Sequence, residues 1–375
     1  MTLPEIRFPD TAWTGLFARY RNLVVPCTEA PPEFHFASFI TAVGCLIGRR
    51  AWICNPRPTY PNFFSLLIGE TAQARKTTAY QFALKLFDDV ADMMRLSVQK
   101  LHGVASVEGL ATKMQSGDLL CIEDEFRSLV TKGGQRAVAN ILPKLTELFN
   151  CPEAFEVNTK NNPIRVVSPF LAMLSASTPA WFEKSLSKSD VGGGFLNRWQ
   201  LFYGRGGKLL AFPPEVNQTE WDELMIDIGV ALEGATGLVT FSLAAQEMYT
   251  GFYTEIRTQS TSEATARMDL HAKKIALLYA VLDSRREIGL DDVTHACAVA
   301  KYCGEVVGPL AERLEVTPQM KVEERLLESL VPGPITPREA YRKLHITAAD
   351  FRRTVAPLVA VSQVAFEDGK YSLAR

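Results

Sequence analysis

Residues 63–78, FFSLLIGETAQARKTT, constrain the fold most, because they combine a buried strand, a short loop and the start of a helix. Five of the six residues from 63 to 68 are apolar, which is typical of a central parallel strand. The strand pattern ends at Gly69, and helical apolar spacing follows over residues 78–96. A strand that enters a helix through a tight loop predicts an α/β core in which a helix N-terminus can receive an anion.

The loop of this segment carries an altered form of the phosphate-binding pattern G-x-x-x-x-G-K-[ST]. Gly69 lies 76 − 69 = 7 positions before Lys76, one more than the pattern has, and Arg75 stands at the second glycine. We expect the ammonium of Lys76 to reach β- and γ-phosphate oxygens and a threonine hydroxyl to hold Mg²⁺. The alternative is an ordinary surface loop that happens to carry Arg-Lys-Thr-Thr. The predicted nucleotide-binding residues are Gly69, Thr71, Arg75, Lys76, Thr77 and Thr78, with Thr77 also predicted to bind the metal.

A second motif, LLCIEDEF at residues 119–126, places three carboxylates at the end of an apolar strand. Burying so many charges is costly unless a cation compensates them. A phosphate-loop enzyme needs one acid for Mg²⁺ and a second to orient the attacking water. We assign Asp124 to the metal and Glu125 to the water, while Glu123 could shift this register by one. The alternative is an acidic strand end that faces solvent.

Two further segments could complete such a site. The apolar run at residues 169–175 ends in Ala-Ser-Thr-Pro, so Ser177 or Thr178 could contact the γ-phosphate and the lytic water. Residues 155–167, FEVNTKNNPIRVV, alternate apolar and polar side chains around an Asn- and Pro-rich turn and predict a β-hairpin. Lys160 near the hairpin tip is a candidate DNA contact, and an ordinary surface hairpin is the alternative.

Two arginines are predicted to act on the nucleotide from outside the loop. Arg198 follows a glycine triplet and precedes the apolar strand WQLFY, a position from which it could reach a neighbouring subunit's nucleotide. Such an arginine finger stabilises charge that develops on the γ-phosphate. Arg267 stands near the start of a helix that becomes apolar, and it could reach the nucleotide from a lid. The alternatives are a salt bridge within its own domain for Arg198 and a solvated basic helix face for Arg267.

The last part of the chain, residues 319–375, has the pattern of a winged helix. A first helix at about 320–331 precedes a capping box, TPRE at 336–339, which opens a second helix, and a third helix follows. Two short strands joined by Asp-Gly predict a closing hairpin. Residues 320–375 hold 9 Lys/Arg against 7 Asp/Glu, so the electrostatic case for DNA is weak and a protein-interaction module is the alternative. The candidate DNA contacts are Arg342, Lys343, Arg352 and Arg353.

The whole chain sets limits on its class. Its 375 residues are enough for several domains, and the net charge of −2 gives no global attraction to nucleic acid. No apolar run approaches the roughly 20 residues of a membrane span. Seven scattered cysteines without a C-x-x-C motif predict reduced thiols, so we expect a cytoplasmic protein with no membrane partner. The predicted domains are a helical lead-in at 1–60, a phosphate-loop core at 61–207, a helical lid at 208–318 and the winged-helix-like domain at 319–375.

Taken in order, these motifs resemble those of the poorly characterised P-loop ATPases of phage, plasmid and integrative-element replication modules, which are associated with primases and akin to superfamily-3 and AAA+ ring helicases. The resemblance covers roughly residues 30–310 and rests on FHFASFITAVGCLIGRR, YPNFFSLLIGETAQARKTT, VASVEGL, LLCIEDEF, FLAMLSASTP and GGGFLNRW. It implies ATP hydrolysis with Mg²⁺, a hexameric ring that works on single- or double-stranded DNA, and a primase–polymerase supplied by another chain. The resemblance implies phosphate and Mg²⁺ binding by Lys76 and Thr77 or Thr78, metal and water binding by Asp124 and Glu125, and action in trans by Arg198.

The sequence therefore predicts an α/β protein with an AAA+/RecA-like parallel sheet, a helical lid and a C-terminal winged helix. Its predicted function is that of an ATP-dependent motor, a replicative DNA helicase or a helicase loader of a mobile element. One alternative is an ATP-dependent assembly switch in defence or regulation that does not unwind DNA. Another is a non-enzymatic DNA-binding protein with a degenerate phosphate loop.

Overall fold

The computed structural model describes residues 5–70, 74–133, 141–158, 163–186, 194–234, 236–259, 262–315, 318–360 and 363–373. The chain divides into two units, Met1–Ala311 and Glu312–Arg375. Two predicted site residues, Thr71 and Lys160, lie outside the described residues, and so does the side chain of Arg353. None of the helices in the described ranges combines the length and the apolar character that a membrane crossing needs.

Helices and strands alternate through the first unit. The helices that begin there are α1 Gly15–Val24, α2 Pro32–Ile47, α3 Lys76–Met94, α4 Val107–Met114, α5 Phe126–Gly133, α6 Ile141–Leu148, α7 Pro179–Ser185, α8 Gln218–Gly234, α9 Leu243–Gln259, α10 Met268–Leu282 and α11 Leu290–Glu315. The strands are β1 Ala51–Asn55, β2 Arg57–Thr59, β3 Phe64–Ile68, β4 Val98–His102, β5 Asp118–Glu123, β6 Ala154–Val157, β7 Ile164–Val167, β8 Leu171–Ser177, β9 Trp199–Tyr203, β10 Gly237–Leu238, β11 Thr240–Phe241 and β12 Glu287–Ile288.

Five strands form one parallel sheet in the order β4-β5-β8-β3-β9. Strands β3, β8 and β9 are buried along their whole length, which explains their nearly continuous apolar sequences. Ile68, the last residue of β3, lies opposite Ser177 of β8 and Tyr203 of β9. Because all the strands run in one direction, the segments that follow β3, β5 and β8 meet at the carboxyl edge of the sheet. The predicted α/β core, a parallel sheet flanked by helices, is confirmed.

Helix α2 is buried over almost its entire length and packs against α3 and strands β3, β5 and β8. A helix that is apolar on nearly all sides needs to be buried. The α2 sequence FHFASFITAVGCLI has this character. The hydroxyls of Ser38 and Thr41 donate to carbonyls one turn earlier, each at 2.7 Å, so these polar groups are satisfied in apolar surroundings. Gly48 ends the helix with φ 59°, a conformation that glycine adopts without strain.

The hairpin predicted at residues 155–167 is present as the antiparallel pair β6 and β7. Ala154 lies opposite Val167, and Val157 lies opposite Ile164. The tip between the two strands, with the candidate DNA contact Lys160, is outside the described residues, so that contact stays a prediction.

The second unit contains helices α12 Pro318–Leu330, α13 Pro337–Leu344 and α14 Ala348–Ala360, followed by the antiparallel strands β13 Val364–Glu367 and β14 Lys370–Leu373. The predicted capping box is confirmed, because the Glu339 amide donates to Thr336 Oγ1 at 3.3 Å and the Thr336 amide donates to the Glu339 carboxylate at 2.8 Å. Phe351 and Leu326 are fully buried in the core of this unit. The predicted order of three helices and a hairpin is thus the observed one.

Candidate functional site

A cavity of about 460 Å³ lies at the carboxyl edge of the sheet, where β3, β5 and β8 end. One wall is the first turn of α3, with Lys76, Thr77 and Thr78. The opposing residues are Asp124 and Glu125, which follow β5. Volumes of roughly 300–1,000 Å³ are usual for small-molecule sites. The structure therefore brings the basic loop and the acidic strand end to one space large enough for a ligand.

Lys76 stands at the very start of α3, and its ammonium reaches back to the end of β3. Its Nζ donates hydrogen bonds to the backbone carbonyls of Gly69 at 2.5 Å and of Glu70 at 3.4 Å. Burial lowers the pKa of Lys76, and the charge of Glu70 opposes this effect. The N-terminus of the 19-residue helix α3 adds its own partial positive charge. This wall of the cavity is therefore suited to an anion.

Arg75, which stands where the phosphate-binding pattern has its second glycine, adopts a glycine-like backbone conformation. Its φ is 45°, in the left-handed region, and it is the N-cap of α3. An arginine there carries a strain of roughly 1–2 kcal/mol that glycine would not have. Its Nε donates to Glu29 Oε2 at 2.8 Å, and Glu29 Oε1 accepts from the Leu210 amide at 2.9 Å. The hydrogen bond from Leu210, and then that from Arg75, lower the pKa of Glu29.

Gly69 is required by close packing at the end of β3. A Cβ at this position would lie 2.6 Å from Ala74 Cβ, 2.8 Å from the Gly204 carbonyl oxygen and 3.1 Å from Phe34 Cζ. The Gly69 amide also donates to the Ser177 carbonyl at 3.2 Å, which holds the end of β3 against β8. Gly69 therefore has two roles. Its carbonyl accepts a hydrogen bond from Lys76, and its lack of a side chain allows Ala74 and Gly204 to pack closely against the end of β3.

The three acids at the end of β5 have different surroundings. Glu123 is buried, and its Oε2 accepts from the Val104 amide at 2.9 Å. Asp124 and Glu125 are exposed and line the cavity. Asp124 and Glu125 therefore line the cavity, Glu123 is not among its lining residues, and the predicted roles of the acids at the metal and the water stay predictions.

Tyr80, one turn into α3, connects the two walls of the site. Its hydroxyl donates to Asp124 Oδ1. Burial, and then the hydrogen bond to Asp124, raise the pKa of Tyr80 to about 12. The phenol therefore stays protonated at neutral pH and holds the Asp124 carboxylate beside the first turn of α3.

The end of β8 supplies the third side of the cavity through Ser177 and Thr178. Thr178 is the N-cap of α7, and its Oγ1 accepts from the Trp181 amide at 3.1 Å. Pro179 follows at the first helical position, which is the usual place for proline in a helix. The sequence offers Ser177 or Thr178 as the contact to the γ-phosphate, and both residues line the cavity.

Several residues of the site were not identified from the sequence. Arg127, in the first turn of α5, lies with its guanidinium 4.0 Å from the ring centroid of Trp181, and both line the cavity. The sequence feature that could have identified Arg127 is its position directly after the acidic motif LLCIEDEF. Glu29 and Tyr80 carry no sequence signal, because their partners are 75 − 29 = 46 and 124 − 80 = 44 residues away.

The structure does not bring Arg198 and Arg267 to this cavity. Arg198 directly precedes β9, so it lies at the amino edge of the sheet, opposite the carboxyl edge. Its side chain is buried, with the residue 8% exposed, and Nη1 donates to the Gly194 carbonyl of its own chain. Arg267 is the N-cap of α10 and lines a second cavity, with Asn62 from the segment before β3. The interpretation of Arg267 as a lid residue that reaches the Lys76 cavity is therefore wrong, because α10 starts beside the amino ends of the strands.

The candidate DNA contacts of the second unit lie on two helices. Arg342 and Lys343 are exposed in the last turn of α13. Arg352 is exposed on α14, and its Nε donates to the Ala348 carbonyl at 3.2 Å. These three side chains face solvent, and their predicted role in DNA binding stays a prediction.

No protein-family model matches this chain, and no curated protein matches it. Within the described ranges, no group of three or more His, Cys, Asp or Glu side chains is arranged to hold a metal ion. The fold and the geometry of the Lys76 cavity define an α/β protein with a cationic helix start opposite two carboxylates, and these features carry the functional conclusion.

Proposed function

We propose that this protein is a P-loop ATPase that binds a Mg²⁺–nucleoside triphosphate in the Lys76 cavity. One observation carries the proposal: Lys76 at the N-terminus of α3 shares a single cavity with Asp124 and Glu125 at the end of β5. A cationic helix start suits the phosphates, and the carboxylates suit the metal and the attacking water.

Each residue has a definite part in the proposed reaction. Lys76 would exchange its carbonyl partners for phosphate oxygens, which are stronger acceptors for an ammonium. Water would attack the γ-phosphorus, form a P–O bond and displace the β-phosphate oxygen. Glu125 would orient this water and take its proton. The hydroxyl of Thr178 lies at the same cavity and would contact the γ-phosphate or the water.

The cavity also fits Mg²⁺. An exposed carboxylate held by Tyr80 and a threonine hydroxyl line the same space, and Mg²⁺ in nucleotide sites needs few protein ligands beside water and phosphates. Asp124 and Thr77 would hold the ion. When bound, Mg²⁺ neutralises the charge that develops on the phosphate oxygens.

We further propose, from the resemblance of the motifs, that hydrolysis drives a hexameric ring on DNA as a helicase or helicase loader, with a primase–polymerase in another chain. Residues 208–318 would form the lid of this motor, and the second unit would be a winged helix that contacts DNA or protein. Arg198 would act on a neighbouring subunit's nucleotide. In that case its guanidinium must leave the carbonyl of Gly194 when the ring assembles.

The testing experiment is an ATPase assay with and without single-stranded DNA, run beside a measurement of assembly state with a non-hydrolysable ATP analogue. We expect turnover that DNA stimulates and that Lys76→Ala abolishes. The matched control is Lys85→Ala on the same helix, whose ammonium pairs with Asp89 at 2.5 Å and is not among the residues that line the cavity. Undiminished turnover in Lys76→Ala would refute the site.

Adding a duplex-unwinding assay and a nucleotide-binding titration to this experiment separates the alternatives. Hydrolysis and assembly without unwinding would favour an ATP-dependent switch in defence or regulation. Failure to bind any nucleotide would favour a DNA-binding protein with a degenerate loop.

A further inference from the structure

The second cavity, which Arg267 lines, has a volume typical of small-molecule sites and is separate from the Lys76 cavity. Its volume is about 630 Å³. Asn62 and Asn197, which stand two residues before the starts of β3 and β9, line it together with the first turn of α10. It therefore sits at the amino edge of the sheet, while the Lys76 cavity sits at the carboxyl edge.

The lining of this cavity is strongly cationic. Arg57, Arg257, Arg267 and Lys274 all contribute to it. Of the described residues that line the cavity, Asp269 is the one that offers a carboxylate, and it pairs with Arg257 at 3.2 Å. Arg57, Arg267 and Lys274 form no direct ion pair with a lining carboxylate, although the charge of Asp269 also acts on Arg267 and opposes the lowering of its pKa by burial. A folded protein normally compensates charge that it removes from water.

The deepest cation in the cavity is Lys274, which is only 2% exposed. Its Nζ donates to Asn62 Oδ1 at 2.7 Å and to the Asn62 carbonyl at 3.0 Å, and it lies 3.7 Å from the ring centroid of Phe149. Burial lowers the pKa of Lys274 to about 7, and repulsion from the charges of Arg267 and Arg198 acts in the same direction. This ammonium is thus hydrogen-bonded to neutral groups, and the charges of Arg267 and Arg198 disfavour it.

Arg198 adds a second buried cation beside the cavity. Its Nε has no hydrogen-bond partner among the described residues, although the side chain is more than nine-tenths buried. Burial, and then the charge of Arg267, lower its pKa to about 10. Arg198 and Lys274 are therefore buried cations that the charge of Arg267 disfavours, and Asp269 is the single carboxylate of the described lining, so a further negative charge would stabilise this group.

We propose that this second cavity is an anion site for a small phosphate-bearing molecule, held chiefly by Arg267 and Lys274. A phosphate offers several acceptor oxygens and a charge of up to two units, which matches a lining in which four cationic side chains share one carboxylate. Asparagine amides, at Asn62 and Asn197, and the hydroxyl of Tyr60 are further polar groups of the lining. The site is independent of the Lys76 cavity and of ATP hydrolysis.

The test uses inorganic pyrophosphate as the probe, with affinity measured by calorimetry and by the rise in thermal midpoint. Because pyrophosphate can also enter the Lys76 cavity, the measurement is made in the full-length Lys76→Ala background, in which the second cavity should still bind the probe. Arg267→Gln, at a half-buried helix start, should weaken binding by about tenfold or more, the usual effect of losing one charge-assisted hydrogen bond. Lys274→Met should weaken binding to a similar degree.

The matched control is Lys273→Met on the same helix. The Lys273 ammonium lies 4.5 Å from the ring centroid of Tyr249 and lines a different cavity, so this variant should bind pyrophosphate as the wild type does. Should Lys274→Met fail to fold, Arg267→Gln still decides the question.

Four outcomes would overturn the proposal. Unchanged affinity in Arg267→Gln would remove the cavity as the binding place. Loss of binding in Lys76→Ala would assign the anion to the other cavity. Binding of a single-stranded oligonucleotide in place of pyrophosphate, or an affinity that rises with protein concentration, would assign the cations to nucleic acid or to an interface between copies.

Discussion

The packing around Gly69 gives the sharpest prediction about the Lys76 cavity. Replacing this glycine by alanine would place a Cβ 2.6 Å from Ala74 Cβ and 2.8 Å from the Gly204 carbonyl oxygen. Neither atom is the end of a flexible side chain, so backbone must move. Inserting a methyl group into a packed region costs about 1–3 kcal/mol. The displaced backbone includes the Gly69 carbonyl, which accepts a hydrogen bond from Lys76 at 2.5 Å.

We therefore expect Gly69→Ala to lower both stability and nucleotide affinity. For a unit of about 300 residues the thermal midpoint moves by roughly 2 °C for each kcal/mol, so the expected fall is about 2–6 °C. Calorimetric scanning measures this fall, and titration with a fluorescent ATP analogue measures the accompanying loss of affinity.

The control is Gly207→Ala, because a Cβ at Gly207 would meet no atom within 4 Å. This variant should match the wild type in thermal midpoint and in nucleotide affinity. If Gly69→Ala behaved in the same way as Gly207→Ala, the close approach of β3 and Gly204 would not constrain the site, and the argument would fail.

The remaining predictions concern single polar groups. Glu125→Gln should bind ATP with nearly wild-type affinity yet release phosphate at a rate lower by about 10²-fold or more, since the general base is lost. Single-turnover kinetics measure this rate, and normal turnover would contradict the assigned role. Tyr80→Phe should raise the Mg²⁺ concentration needed for half-maximal turnover by about tenfold, because the hydroxyl that holds Asp124 is gone; an unchanged Mg²⁺ titration would refute it. Arg198→Ala should bind ATP but hydrolyse it poorly, and mixing it with Lys76→Ala subunits tests action in trans through partial recovery of turnover. Burial lowers the pKa of Lys274 from 10.5 to about 7, so between these pH values the unfolded chain holds more protons than the folded chain. The free energy of unfolding should therefore rise by about 2 kcal/mol between about pH 7 and pH 9, relative to that of Lys274→Met. Urea unfolding at several pH values measures this rise.

Much of the core could be predicted from local sequence because its strands are buried on both faces. The apolar runs at residues 63–68 and 169–175 predicted strands, and the structure forms β3 and β8 there and pairs them in parallel. The capping box at Thr336 and Glu339 predicted the start of a helix to the residue, since its hydrogen bonds join groups only three positions apart. Local rules succeed where the interacting groups are neighbours in the chain.

The candidate site was predictable in part for the same reason. Lys76 and Asp124 follow strands whose parallel pairing brings their carboxyl ends together, so the cavity could be anticipated from strand direction. The error at Arg267 has a different origin. Its helical pattern shows that a helix starts there, but no pattern tells at which edge of the sheet that helix begins.

The sequence by itself determined the strand before Lys76 and the helix that begins with it, because burial and helical periodicity are properties of residues close together in the chain. Only the tertiary structure decided that Tyr80 holds Asp124, that Glu29 holds Arg75, and that the basic residues near Lys274 form a cavity of their own. These contacts join groups tens to hundreds of residues apart, so they depend on how helices pack on the sheet. The packing of helices on a sheet depends on many weak contacts at once. It therefore produces no periodic pattern in the sequence that would predict these contacts.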